Sequence, residues 1–108
     1  EWDDSCEALL RLAPGFLDAY VRFVSFPWAG RALEPGVKEL IAIAINASTT
    51  HLYEAGMRFH MRRALRMGVP VDEIVEVLQL ASVLGIHTCS VGVPILLAEI
   101  GVARSATA

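Results

Sequence analysis

Apolar residues recur at intervals of three and four along most of this chain, the spacing that places them on one face of an α-helix. No stretch alternates apolar and polar residues as a half-buried β-strand does. Proline and glycine separate the helical stretches by short connections. The stretches with helical spacing are residues 16–23, 37–47, 52–67, 71–84 and 86–100. This pattern predicts a single all-α domain, residues 1–108, with five or six helices.

Three of these stretches lead to specific predictions about packing. Stretch 37–47 is apolar on nearly every side, as is typical of a helix enclosed in a bundle. The positions that follow helical spacing are Val37, Leu40, Ile41, Ala44, Ile45 and Ser48, and Ile43 is apolar as well. In stretch 71–84 the apolar stripe consists of Ile74, Val77, Leu78, Ala81 and Leu84. In stretch 86–100, Pro94 either begins a helix in its first turn or bends one.

Composition indicates that the domain associates with other copies of itself. Of its 108 residues, 55% are hydrophobic and 19% are charged, whereas soluble domains average about 45–50% and about 25%. A small domain has little interior in which to bury this excess. A membrane-spanning helix needs roughly 20 apolar residues, and polar residues and Pro94 interrupt the longest uncharged stretch, 77–98. We therefore predict a homo-oligomer and no membrane partner.

Charge and cysteine content exclude further classes of protein. The formal net charge of −3 argues against nucleic-acid binding, which requires a basic surface. The first residues lack the basic and apolar regions of a secretory signal. Cys6 and Cys89 lie far apart in the sequence and do not indicate a disulfide framework. Together these features predict a cytoplasmic protein.

Polar residues within the apolar stretches are the candidates for chemistry. His60 lies on the apolar stripe of stretch 52–67, where it is either a hydrogen-bonded core histidine or a general acid–base group. His51 and Glu54 lie three residues apart, on one face of the first helical turn. They either cap this helix, with Glu54 paired to Arg58, or orient an anionic substrate at the helix N-terminus.

Other residues are candidates for binding rather than for proton transfer. An arginine of the central helix can grip a substrate carboxylate, and the alternative is a solvent-exposed charged face. Cys89 has no CxxC partner, which favours a buried structural thiol over a reactive one. There is no HExxH motif, and His51 and His60 fall on opposite faces of a straight helix. Neither a metal nor a cofactor is therefore predicted.

Four sequence motifs occur in a characteristic order. They are the run 38–47 (KELIAIAINA), His60, the run 64–68 (ALRMG) and the run 72–78 (DEIVEVL). In combination they resemble the carboxymuconolactone decarboxylase family, part of the alkyl-hydroperoxidase D-like superfamily. The resemblance covers about residues 33–100. It implies a helical bundle of that superfamily and assembly through helices, commonly into trimers or hexamers.

The resemblance implies two possible chemistries, and the residues at the motif positions of this sequence distinguish between them. Peroxidase-type members carry a CxxCxxxH motif, and alignment of its histidine with His60 places the two thiols at Tyr53 and Gly56. Dithiol peroxidase activity is therefore not predicted. Decarboxylase-type members act on a muconolactone carboxylate in aromatic catabolism, and this chain has Leu80 where they carry a second histidine. It is most similar to a branch with the motifs THLYE and GIHTC.

We therefore predict a lyase-type enzyme that acts on a small organic acid or lactone by acid–base chemistry. The predicted catalytic residues are His60, His51 and Glu54. The predicted substrate contacts are Tyr53, Arg58, His87 and Cys89. Two alternatives stay open at this point: a non-catalytic oligomer that binds a small ligand, and a metal-dependent oligomer whose histidines come from different segments or subunits.

Overall fold

The structure, a computed structural model, describes residues 3–107. This part of the chain consists of six α-helices and one short 3₁₀ helix and contains no strand. The helices are α1 (Asp4–Leu12), α2 (Pro14–Ser25), α3 (Pro35–Ala47), α4 (Glu54–Arg66), α5 (Val71–Ala81) and α6 (His87–Thr107), with the 3₁₀ helix Phe26–Ala29 after α2. The prediction of an all-α fold with five or six helices is confirmed.

The helix boundaries follow from local sequence. Asp3 caps α1 by accepting a hydrogen bond from the Cys6 N–H, which satisfies a free donor of the first turn. Pro35 occupies the first turn of α3, where its missing N–H costs nothing. Gly68 ends α4 with a φ of +86°, a left-handed conformation that glycine adopts without steric cost. The breaks marked by proline and glycine in the sequence are therefore true helix ends.

The core forms where α3 packs against α4 and α5. Its buried apolar residues are Ile43, Ala64 and Ile74, and these are flanked by Leu40, Met61, Val69, Val77 and Leu78. The stripe predicted for α5 is thus correct at Ile74, Val77 and Leu78. Helix α5 nevertheless ends at Ala81, earlier than predicted, and Leu84 is exposed.

The structure shows which face of the apolar helix α3 is buried. Its buried residues are Glu39, Ala42, Ile43 and Asn46, whereas Val37, Ile41 and Ile45 are exposed. Apolar residues surround this helix on every side, so their spacing could not select one face. Two polar residues lie on the face that the fold buries, and this position gives them hydrogen-bonding roles described below.

Helix α6 extends away from the core. Its described side chains are all exposed except that of Ile100, and Pro94 lies inside the helix rather than at its start. The radius of gyration is 20.8 Å, compared with about 13 Å for a compact domain of this size. By length and composition, 87–105 could also cross a membrane, with a mean hydropathy of 1.3 and none of its residues buried. A single copy therefore leaves a long apolar surface uncovered.

Candidate active site

A cavity of about 900 Å³ lies between α2, the 3₁₀ helix, α3 and α4. We call it the large cavity. Aromatic rings dominate its apolar wall, which includes Tyr20, Phe23, Phe26, Trp28 and Phe59. The polar side chains at the wall are Arg22, Asn46, His51, Tyr53 and His60. This combination suits a small ligand with an apolar body and a few polar groups.

A short hydrogen bond between α3 and α4 joins Glu39 and His60. Oε2 of Glu39 lies 2.6 Å from Nδ1 of His60, and Glu39 is fully buried. In its ionised form the Glu39 carboxylate can only accept hydrogen bonds, and Nδ1 of the imidazole then carries the proton. Nε2 is then the ring nitrogen that a ligand can use. Because His60 lines the large cavity, the geometry places an oriented acid–base group at its wall.

Aromatic rings fix the plane of the His60 imidazole. Trp28 stacks on it with ring centroids 5.4 Å apart and planes within 5°. Phe59 meets the same ring edge-on at 5.0 Å. The stack brings the 3₁₀ helix against α4, although the two segments are far apart in the sequence. His60 is therefore held by a carboxylate at one edge and by an aromatic ring on one face.

A second imidazole is oriented by Asn46. Nδ2 of Asn46 donates to the carbonyl oxygen of Ala42 at 2.9 Å, so the amide oxygen points the other way. This oxygen lies 3.1 Å from Nε2 of His51, and it can only accept. Nε2 of His51 therefore carries the proton, and Nδ1 is left with a lone pair. The large cavity thus has two imidazoles at its wall, each oriented by a buried side chain of α3.

Gly56 allows α3 and α4 to approach closely beside this second imidazole. A Cβ atom at Gly56 would lie 2.5 Å from Oδ1 and 2.6 Å from Cγ of Asn46, and 2.8 Å from Cδ2 of Tyr53. Contacts this short are not tolerated, so the packing requires glycine here. This is one of the two positions at which the peroxidase motif places a thiol, and any side chain there would displace Asn46.

The sequence profile of the carboxymuconolactone decarboxylase family matches residues 14–89. The chain belongs to this family. None of the curated proteins compared with it matches. It is similar to the crystal structure, at 1.70 Å resolution, of a proposed gamma-carboxymuconolactone decarboxylase subunit from Burkholderia xenovorans LB400, with 42% sequence identity and a TM-score of 0.79. The similarity covers 95% of this chain and 41% of the other, so this chain spans about two fifths of that subunit's length.

In this carboxymuconolactone decarboxylase family member, Tyr53 connects the cavity wall to the N-terminal helix. Its hydroxyl lies 3.4 Å from Oδ2 of Asp3, and it lines the large cavity. The hydrogen bond from the Cys6 backbone, with a smaller contribution from Tyr53, lowers the pKa of Asp3. Between His51 and Tyr53, Leu52 has a φ of +41°, which costs a non-glycine residue about 1–3 kcal/mol. The strained residue therefore lies between two side chains of the cavity wall.

Glu54 and Arg58 form an ion pair on the surface of α4. Arg58 Nη2 lies 2.6 Å from Glu54 Oε1, and both side chains are mostly exposed. Neither residue lines the large cavity, and this arrangement matches the helix-surface interpretation of the pair. The arginine that does line this cavity is Arg22 of α2, which pairs with Asp18 at 3.0 Å.

His87 and Cys89 lie in α6, away from the large cavity. His87 contacts Ser90 with Nδ1 and Oγ 2.8 Å apart and lines a separate cavity of about 390 Å³. Cys89 is exposed, in contrast to the buried thiol that was predicted. Within residues 3–107, no group of three or more His, Cys, Asp or Glu side chains is arranged to hold a metal ion.

The sequence interpretation missed three residues around the imidazoles: Glu39, Asn46 and Trp28. It considered Arg63 as one of the arginines of the central helix that could bind a substrate carboxylate, and not as a partner of Glu39. Glu39 and Asn46 are seven positions apart, which is two helical turns, so they share a face with Ala42 and Ile43. Two polar residues on one face of a helix that is apolar elsewhere were the available signal. Trp28 has no comparable signal in its sequence neighbourhood, because its contact with His60 depends on how the 3₁₀ helix folds back.

Proposed function

We propose that this protein is a carboxymuconolactone decarboxylase-type enzyme that transfers a proton to or from a small organic acid or lactone in the large cavity. The observation that carries the proposal is the buried Glu39 carboxylate hydrogen-bonded to Nδ1 of His60. A base oriented by a second group is a common arrangement in acid–base catalysis. We assign the carboxylate role to Glu39 rather than to Glu54, which lies on the surface.

The proposed step uses Nε2 of His60. When a carboxylate carried by the carbon next to a carbonyl group leaves as CO₂, the electrons of the broken C–C bond form a new C=C bond and the carbonyl oxygen takes the negative charge, which gives an enolate. The carbon then takes a proton from Nε2 of the imidazolium form of His60, which forms when the neutral ring first accepts a proton from solvent. In the reverse sense, neutral His60 removes a proton from such a carbon. The negative charge of Glu39 stabilises the imidazolium in either direction.

His51 and Arg22 complete the proposed binding site. His51, with Nε2 held by Asn46, offers its other ring nitrogen to a polar group of the substrate. Arg22 is positioned to bind a carboxylate, because its present partner Asp18 is exposed and such surface pairs contribute only about 0–1 kcal/mol. The aromatic wall then accommodates a planar or unsaturated body. The expected substrate class is a small monocarboxylate with an apolar ring or chain.

We also propose that a second copy covers α6. Three observations support this: the exposed apolar side chains of α6, the elongated shape of the single chain, and the excess of hydrophobic residues. Trimers or hexamers are the assemblies that the family resemblance implies. Burial of α6 between copies would give its apolar face the cover that the rest of one chain does not provide.

A non-catalytic ligand-binding protein is the second candidate function. Tyr53 and Gly56 occupy the two thiol positions of the peroxidase-type members, and Leu80 occupies the position of the second histidine in the decarboxylase-type members. The replacement of these reactive groups favours this candidate. The large cavity would then bind an organic acid without converting it, and His60 would be a hydrogen-bonding residue.

One experiment separates the two candidates. A panel of lactone carboxylates and unsaturated acids is tested for CO₂ release and, by calorimetry, for binding. Wild type is compared with His60→Ala and with Arg62→Ala, a control at an exposed position of the same helix. We expect His60→Ala to lower turnover about 10²-fold or more, with Arg62→Ala unchanged. Equal rates in the two variants would contradict the role of His60, and binding without turnover would favour the ligand-binding protein.

A further inference from the structure

We propose that Arg63 is the positioning residue that keeps the Glu39 carboxylate ionised. Nε2 of His60 thereby stays unprotonated and can accept a proton. This inference rests on the proposed role of His60. It concerns the resting charge of three side chains, which can be measured without a substrate. The two proposals can therefore fail separately.

Glu39 has two partners, one for each carboxylate oxygen. Oε2 contacts Nδ1 of His60, and Oε1 lies 2.9 Å from Nε of Arg63. His60 and Arg63 are three residues apart on α4, so one helical face presents both groups to the buried carboxylate. The Arg63 contact is an ion pair that lacks the alignment of a hydrogen bond. Its contribution is therefore chiefly its charge.

The charges of these groups are coupled because Glu39 has no access to solvent. A buried carboxylate needs a positive partner or takes up a proton. Arginine remains protonated at all relevant pH values, so Arg63 provides the positive charge permanently. His60 is then free to be neutral in the resting state, with a lone pair on Nε2.

Without the positive charge of Arg63, the Glu39–His60 pair would have to take up one additional proton. If His60 holds it, the ring is an imidazolium and both nitrogens carry hydrogen. If Glu39 holds it, the carboxyl O–H donates to Nδ1, and the neutral ring carries its hydrogen on Nε2. In both cases Nε2 has no lone pair for a substrate proton. Loss of Arg63 would therefore remove the base without changing His60 itself.

The surroundings leave Arg63 as the cation paired with Glu39. A second cavity of about 340 Å³, which we call the small cavity, is lined by Glu39 and Arg63 together with Arg31, Glu34 and Lys38. Lys38 donates its ammonium hydrogens to the carbonyl oxygens of Trp28 and Gly30. Glu34 has the same charge as Glu39 and cannot neutralise it. No contact joins Arg31 to Glu39 among the described residues.

Aromatic rings also hold Arg63 in place. Its guanidinium carbon lies 5.6 Å from the ring centroid of Trp28 and 5.5 Å from that of Phe59. Both distances are within the range of cation–π attraction. Trp28 and Phe59 are the rings that contact His60, so the same two side chains orient the base and the permanent cation.

The test uses nuclear magnetic resonance on the unliganded protein at neutral pH. The ring nitrogens of His60 and the carboxyl carbon of Glu39 report how many protons the pair holds. Arg63→Gln removes the charge, Arg63→Lys retains it, and Arg62→Gln removes an equal charge from an exposed neighbour on α4. We expect one additional proton on the pair in Arg63→Gln and the wild-type state in the other two variants.

An unchanged protonation state in Arg63→Gln would overturn the proposal, since a purely structural role would lower the melting temperature without adding a proton. If Arg63→Gln does not fold, Glu39→Gln combined with Arg63→Gln decides the question. That double variant has no unpaired buried charge and should fold. Failure of the double variant as well would show that Arg63 acts through packing, which contradicts the proposal.

Discussion

Glu39 and His60 are 21 positions apart in the sequence, yet Oε2 of one lies 2.6 Å from Nδ1 of the other. This contact crosses the interface between α3 and α4, on which the core of the domain is built. It buries a carboxylate completely and leaves the imidazole partly open to the large cavity. A hydrogen bond in such a setting orients the ring as well as stabilising the fold.

Replacement of Glu39 by Gln should separate the effect of this hydrogen bond on catalysis from its effect on stability. Gln has almost the same shape but cannot stabilise an imidazolium, so we expect activity to fall about 10²-fold or more. The stability should change less, because Arg63 is 43% exposed and can be solvated when its partner loses its charge. Turnover and thermal unfolding measure the two effects. Glu76→Gln, at an exposed position of α5, is the control, and full activity in Glu39→Gln would rule out the proposed dyad.

Two arginines in similar surface pairs should differ in ligand binding. Arg22 pairs with Asp18, and Arg58 pairs with Glu54, each at i and i+4, but Arg22 alone of the two lines the large cavity. Arg22→Gln should weaken the binding of a small aromatic carboxylate about tenfold, which corresponds to roughly 1.4 kcal/mol.

Arg58→Gln should leave this affinity unchanged, and neither variant should alter binding of the corresponding uncharged amide. Calorimetry provides the affinities. An equal loss for the two arginines, or an equal loss for acid and amide, would exclude Arg22 as the carboxylate-binding residue.

The close approach of α3 and α4 should make Gly56 intolerant of a methyl group. Gly56→Ala should destabilise the protein by about 1–3 kcal/mol through overpacking against Asn46. Gly15→Ala, in α2 with open space around it, should instead be neutral or stabilise by about 0.4–1 kcal/mol. Denaturant unfolding of both variants gives the comparison. Equal stabilities would mean that the helices do not pack as closely as described.

Burial of α6 between copies predicts that the protein is an oligomer at micromolar concentration. Leu97→Glu places a charge on the exposed apolar face of α6 and should lower the mass measured by sedimentation. Gln79→Glu adds the same charge at an exposed polar position of α5 and should not. A monodisperse wild-type monomer would contradict the proposal, and so would wild-type protein that floats with lipid vesicles.

The sequence predicted the helices well because proline and glycine mark their ends and apolar spacing marks their interiors. It also singled out His60 as a candidate, because this histidine lies on the apolar stripe of α4. It could not predict which face of α3 is buried, since every face is apolar. Glu39 and Asn46 were overlooked because polar residues usually lie at the surface.

Other differences arise from tertiary position, which local spacing does not encode. The pairs Asp18–Arg22 and Glu54–Arg58 have the same spacing, so only the packed structure distinguishes the arginine at the cavity from the one outside it. His87 and Cys89 lie in a polar segment that resembles a site, but α6 carries them away from the large cavity.

Exchange of substrate hydrogen for deuterium tests the Glu39–His60 centre most directly, because it detects proton transfer whether or not a product forms. Candidate lactones and organic acids are incubated with the protein in deuterated water, and the carbon-bound hydrogens are followed by magnetic resonance. We predict exchange in the wild type, a loss of about 10²-fold or more in both His60→Ala and Glu39→Gln, and no loss in Arg62→Ala, at an exposed position of α4. Undiminished exchange in either of the first two variants would contradict a proton-transfer role for this pair.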